Sequence, residues 1–126
     1  MNTPTELKYS KEHEWVKTEG NIAVVGITDF AQSELGDIVF VDIQNLGDTV
    51  AAGDVFGSVE AVKTVSDLFS PVSGKIIEFN SLLESEPEKV NQDPYGQGWI
   101  IKIEMSSPEE LNNLLDSDGY ASLVSK

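Results

Sequence analysis

Short runs of β-branched and aromatic residues, each closed off by turn residues, fill most of this chain. Such a pattern leaves most backbone hydrogen bonds to be made between strands. Many short strands with turns between them predict a sandwich or barrel and not a parallel α/β sheet. Residues 14–18 and 21–26 flank Glu19-Gly20 as a hairpin. Residues 38–43, Ile-Val-Phe-Val-Asp-Ile, carry the weight of a buried strand. Gly47-Asp48 and Gly53-Asp54 mark turns either side of Thr49-Val50. Residues 55–61, 65–69, 75–79 and 99–105 read as further strands, and residues 81–94 as a loop.

Two places break the strand pattern. Thr28 can cap a short helix through Leu35 that Gly36 stops, with Phe30, Ala31 and Leu35 inward. Near the end, Ser107, Pro108 and Glu110 have the spacing of a capping box. Leu111, Leu114 and Leu115 would form the stripe of that helix, Asp118-Gly119 its stop, and residues 120–124 one more turn. The expectation is one domain over residues 1–126, a β core at about 7–105 and a helical tail at 107–124. Leu, Ile, Val and Phe make up 37 of 126 residues, which is enough apolar weight for a folded core.

Charge and missing residue types remove whole classes of function. Eight Lys stand against 22 acidic residues, for a net charge of −14, and there is no Arg. Nucleic acid and anionic membrane both need a clustered basic face, so neither is an expected partner. With no Cys and a single histidine, His13, a thiolate nucleophile, a disulfide and a multi-histidine metal site are excluded within one chain. No apolar run spans a membrane, and residues 1–7 carry no apolar signal core. The simplest reading is a cytoplasmic, bacterial protein.

Two apparent motifs fail on their own chemistry. Residues 57–64, Gly-Ser-Val-Glu-Ala-Val-Lys-Thr, nearly match a phosphate-binding loop. Val62 occupies the place of the second glycine, where a β-branched residue disfavours positive φ, and Glu60 would repel the phosphates. Asp116-Ser117-Asp118-Gly119 begins like a calcium loop, but its twelfth position falls beyond Lys126. His13, between Glu12 and Glu14, has no nucleophile motif near it and reads as a surface or strand-edge residue. Trp15, Tyr95 and Trp99 read as packing residues. No enzyme emerges.

Lys63 remains, between two strand-like runs that can pair with Val62-Lys63 at the tip. The tip holds no Gly, Asn or Pro, so pattern alone places the turn weakly. Around it stand Gly47, 16 residues before, and Gly74, 11 after. With Gly53-Asp54 and Ser70-Pro71-Val72-Ser73-Gly74, this resembles the lipoyl and biotinyl carrier domains. The resemblance narrows to the glycine cleavage system H protein family. It is carried by Leu7-Lys8-Tyr9, His13-Glu14-Trp15-Val16, Gly26-Ile27-Thr28-Asp29, Ala31-Gln32 and the run from Leu35 to Val41. Phe56 to Glu60, Val62-Lys63, Ser66-Asp67, Asn91 to Trp99 and Ser107 to Leu111 continue it in order. Ala61 stands where the family usually has Ser, and Thr64 where it usually has Ala.

The resemblance implies a mainly β fold, a flattened barrel or sandwich hybrid of two antiparallel sheets with a short internal helix and a C-terminal helix. It implies lipoate on Lys63 by an amide bond, which removes one ammonium and takes the net charge from −14 to −15. A tethered arm converts each transfer in a docked complex into a step at high effective concentration. The implied partners are glycine decarboxylase (P protein), aminomethyltransferase (T protein), dihydrolipoyl dehydrogenase (L protein) and the lipoyl-attaching enzymes. Glu60 and Val62 would contribute to recognition of the attachment hairpin. Glu14 and Asp67 are expected to hold the ammonium of the loaded arm in a cleft, with His13 and Glu12 at its margin. The protein would be a carrier and not a catalyst. An alternative keeps the cofactor but makes the chain a lipoyl relay for other lipoate-dependent complexes. A biotinyl carrier fits less well, because Val62 and Thr64 flank the lysine where Met is usual. An unmodified acidic interaction module explains none of the spacing.

Overall fold

A computed structural model describes residues 3–124; Met1, Asn2, Ser125 and Lys126 lie outside the described residues, and with them the ends of the expected 1–126 domain and the first two positions of the polar N-terminal stretch. Among the described residues nine strands form two antiparallel sheets. The larger contains β1 (Lys8–Tyr9), β2 (Glu14–Glu19), β3 (Ile22–Ile27), β9 (Ile101–Met105), β8 (Gly74–Phe79) and β5 (Thr49–Val50), in that order. The smaller is β4 (Ile38–Ile43), β6 (Val55–Ala61) and β7 (Val65–Phe69). Buried Val25, Ile76, Ile101 and Ile103 of the first sheet meet Val41, Phe56, Val59 and Leu68 of the second in one core. The mainly β expectation and its two antiparallel sheets hold.

The first hairpin forms as its sequence demands, with Glu19 opposite Ile22 and Gly20 at φ +62°. β4 differs from the buried strand expected of its composition. Val39 and Phe40 are 48% and 54% exposed, while Ile38 and Val41 are buried. The register against β6 shifts between Ile38 and Phe40. A bulge adds a residue to one strand, so two consecutive side chains face outward before the alternation resumes. Gly57 fits the same crowded pairing, since a Cβ there would run into the Asp42 carbonyl oxygen.

Residues 81–94 are not the plain loop expected. They hold two single-turn helices, α2 (Leu82–Ser85) and α3 (Lys89–Gln92), separated by Pro87 and pinned by buried Leu83 and Val90. Four-residue helices are too short to show a helical period. The tail also departs from expectation. Pro108–Asn113 is a 3₁₀ helix, and Ser107 makes no side-chain cap bond. The Glu110 carboxylate instead accepts from Ser73 N–H (2.7 Å) and Ser73 Oγ (2.8 Å), so the capping box is exchanged for a tie to the loop before β8. The leucine stripe divides: Leu111 and Leu114 pack on the main core, and Leu115 packs on a second cluster with Tyr9 and Tyr120. Asp118-Gly119 does not stop a helix but lies in the first turn of α4 (Ser117–Val124). Asp116 Oδ1 accepts from Gly119 N–H at 2.8 Å, so the aspartate opens the helix.

The short internal helix α1 (Asp29–Leu35) agrees with expectation in both its caps. Thr28 Oγ1 accepts from Ala31 N–H, and Gly36 at φ +81° closes the last turn by donating to Gln32 O. Ala31 and Leu35 pack on the core, whereas Phe30 lies against the His13 ring at 5.0 Å between centroids. Among the described residues no helix is long and apolar enough to cross a membrane.

Candidate functional site: a lysine-tipped hairpin beside an acidic cavity

β6 and β7 pair with Glu60 opposite Val65, and Ala61 N–H closes the turn onto Thr64 O at 2.7 Å. Val62 and Lys63 stand at its tip, both exposed, Val62 to 76%. Neither needs positive φ, since His13 is the one non-glycine residue with positive φ among the described residues. The tip therefore requires no glycine. It is held from outside, by Val62 N–H donating to Asp37 O at 3.0 Å. The Lys63 stem lies over Gly36, where a Cβ would sit 3.4 Å from Lys63 Cε.

Asn91, on α3, holds that platform in place. Its Oδ1 accepts from Ile38 N–H at 2.9 Å, and its Nδ2 donates to Gly36 O at 2.9 Å and Gln32 Oε1 at 3.0 Å. One amide thus joins the end of α1 to the start of β4, immediately under the lysine stem.

A cavity of about 280 Å³ opens between α1, the turn before β2, and the β6–β7 hairpin. Ile27, Ala31, Leu35, Val59 and Leu68 form its apolar wall. Glu12, His13, Glu14, Glu34 and Ser66 supply its polar groups. The structure thus brings Glu12, His13 and Glu14 together at one cavity. It does not bring Asp67 there. Ser66 and Leu68 line the cavity, and alternation along a strand turns Asp67 to the opposite face. On that outer face Asp67 shares a row with Ser58 and Asp42, and Glu60 lies between Phe40 and Val65 in the next outward row.

Glu14 is 2% exposed, far from the ordinary surface charge its composition suggests. Ser10 Oγ donates to its Oε1 at 2.6 Å, and Phe69 N–H to its Oε2 at 3.3 Å. Burial dominates over these two bonds and pushes the carboxyl up to about 8, with Glu12 adding in the same direction. At neutral pH Glu14 is mostly protonated while no cation faces it. His13 is shifted the other way: burial lowers its pKa, against the raising influence of Glu12 and Glu34.

His13 owes its place to a turn. Ser10 O accepts from His13 N–H, Ser10 N–H donates to Glu14 O, and His13 takes φ +71°. A left-handed residue after a tight turn, where glycine is usual, is the signature of a bulged hairpin. Glu34 and Ser66 were not singled out by sequence reasoning. Glu34 follows Phe30 by four on α1, and Ser66 precedes Leu68 by two on β7, so helix and strand periods could have found both. Trp15, Tyr95 and Trp99 do not line the cavity; Trp15 is buried and its Nε1 donates to Pro94 O at 2.9 Å.

Known proteins resemble this chain in sequence and in fold. The family model described as Glycine cleavage H-protein matches residues 7–126. The glycine cleavage system H protein of Bacteroides fragilis is 56% identical over 124 residues, covering 98% of both chains. That of Symbiobacterium thermophilum is 60% identical over 119 residues, 94% of this chain and 93% of its own. The crystal structure of a glycine cleavage system H protein from Mycobacterium marinum superposes with a TM-score of 0.88 at 37% identity, over 98% of this chain and 99% of that one.

Proposed function

The chain belongs to the glycine cleavage H-protein family, and from that premise we propose that Lys63 is the residue bearing its lipoate. The protein is a non-catalytic carrier that holds lipoate covalently and serves the P, T and L proteins of the glycine cleavage system. Lipoate supplies the redox-active sulfur that a cysteine-free chain lacks and that receives the aminomethyl group in transit. The observation that supports Lys63 is its position: an exposed amine on a bend, its stem laid over Gly36 beside a cavity large enough to take part of a flexible arm.

This chain's own residues do three things in the proposal. The hairpin holds the Lys63 amine where an attaching enzyme reaches it, with Val62 and Glu60 beside it for recognition. The apolar wall of Val59, Leu68, Ile27 and Leu35 excludes water from whatever the cavity takes. Glu14 holds a proton on its carboxyl until a cation faces it; a nearby ammonium favours the carboxylate and displaces that proton. Glu12 and His13 stand at the margin, and Glu34 adds a third carboxylate to the cavity lining. Asp67 lies on the outer face with Asp42 and Glu60, so we assign it to electrostatic steering of partners and not to the cavity. We place the protein in the cytoplasm of a bacterium, in keeping with its bacterial relatives, as one carrier domain.

The test is intact mass spectrometry with site mapping on protein made in a lipoate-replete host. One lipoyl group on Lys63, absent from Lys63→Arg, is expected. Lipoyl mass on Lys63→Arg, or on another of the eight lysines, would overturn the assignment.

A further inference from the structure

The C-terminal helix reaches His13, on the cavity wall, through Tyr120. Tyr120, fully buried on α4, stacks on Tyr9 at 4.8 Å between ring centroids. Its hydroxyl lies 2.8 Å from His13 Nδ1 and 2.7 Å from Thr28 Oγ1. From this arrangement we propose that Tyr120 is a positioning residue whose hydroxyl fixes His13 at the cavity wall as the neutral imidazole with its proton on Nε2.

Counting donors along the chain of contacts gives the direction. Ala31 N–H can only donate, so Thr28 Oγ1 accepts from it at 3.2 Å. If Thr28 donates to Tyr120 and Tyr120 donates to His13 Nδ1, every hydroxyl proton has an acceptor. The reverse order starts from His13 Nδ1–H donating to Tyr120, whose own proton then goes to Thr28. Thr28 Oγ1 would accept twice, and its own proton would have no partner among the described residues. Thr28 is fully buried, so water does not supply one. A buried hydroxyl left unpaired is disfavoured. Both the Nδ1–H tautomer and the imidazolium put a proton between Nδ1 and the Tyr120 oxygen, and so leave either the Thr28 or the Tyr120 hydroxyl proton without an acceptor.

The backbone points the same way. His13 occupies a left-handed position that glycine would take with less strain, so the ring is kept against a conformational preference. The groups facing it are Glu12 and Glu14 from the turn and β2, Glu34 and Phe30 from α1, and Tyr120 from α4. The carboxylates Glu12 and Glu34 favour a charged ring; burial and the hydroxyl relay oppose it. A neutral His13 leaves the carboxylates of the wall free for a cation, where an imidazolium would compete with it. That consequence rests on the cavity reading above; the relay itself does not.

The experiment uses the full, unlipoylated chain, with ¹⁵N-labelled histidine observed by NMR across pH. Since His13 is the single histidine, assignment is immediate. In the wild type, protonated Nε2 and bare Nδ1 are expected at pH 7, with titration below the ordinary histidine value. Tyr120→Phe keeps the ring and removes the hydroxyl. It should give a mixture of tautomers and raise the protonation constant about tenfold, one pH unit. Thr28→Ala breaks the relay from its other end and should move both readouts in the same direction, while Thr28→Ser should match the wild type. A wild-type His13 protonated on Nδ1 or charged at pH 7 overturns the proposal. So do an unaltered signature and titration in either relay-breaking variant that folds. Because no lipoate is present, failure here leaves the Lys63 assignment intact, and failure of that assignment leaves these spectra unchanged.

Discussion

Replacing Glu14 by Gln should abolish the pH dependence of stability that this residue imposes. The Glu14 carboxyl is moved by burial from an ordinary 4.5 to about 8 in the folded chain. Between those values the unfolded chain has released the proton and the folded chain still holds it. Folded protein thus binds more protons, and stability falls as pH rises. At about 1.4 kcal/mol per pH unit, the contribution lost between pH 4.5 and pH 8 is about 5 kcal/mol. That is a large part of the roughly 5–15 kcal/mol that holds an ordinary domain together. Gln keeps the shape but cannot accept from both Ser10 and Phe69, a fixed penalty of about 1–2 kcal/mol at every pH. The two stability curves should cross near pH 6, on the order of these figures, with Gln ahead by about 3 kcal/mol at pH 8. Urea unfolding from pH 5 to pH 8.5 measures both. His13 contributes with the opposite sign, because its lowered pKa makes stability rise with pH. It does so in both proteins, so the difference isolates Glu14. Wild-type and Gln curves that stay parallel across this range would refute the claim that burial governs this carboxyl.

Two further substitutions test the platform beneath Lys63. Gly36→Ala places a side chain at φ +81°, ψ −159°, a region open almost only to glycine, and against the Lys63 stem. It should cost about 1–3 kcal/mol in thermal unfolding and slow lipoylation of Lys63; unchanged melting and modification would contradict the cap geometry. Asn91→Ala leaves Ile38 N–H and Gly36 O without their partner and should lower stability by about 2–3 kcal/mol. Hydrogen exchange should quicken at Ile38 and at the end of α1, and exchange that is no faster there would remove Asn91 from its joining role.

Much of this architecture could be read without coordinates because it rests on local chemistry. Thr28 and Gly36 have the right types at the right spacing to start and stop α1 whatever surrounds them. Gly20 supplies the positive φ of the first hairpin, and the β-branched runs at residues 55–61 and 65–69 become strands with those same bounds. Other features escaped because their cause lies elsewhere in the chain. α2 and α3 are stabilised by burying Leu83 and Val90, a gain that no four-residue window shows. Glu110 satisfies the capping pattern but bonds Ser73, 37 residues away, since the 3₁₀ turn places its carboxylate on that loop.

The candidate site divides along the same line. The sequence alone determined that a lysine sits between two strand-like runs able to pair, that the chain has no cysteine and one histidine, and that its net charge is strongly acidic. Those are matters of residue type and spacing. Only the tertiary structure decided that Glu14 is buried and Asp67 turned away, that Asp37 and not a glycine holds the tip, and that the last helix reaches His13 through Tyr120. Burial, the face of a strand and a contact across 107 residues are set by how the two sheets and α4 pack, and the sum of local preferences along the chain does not contain them.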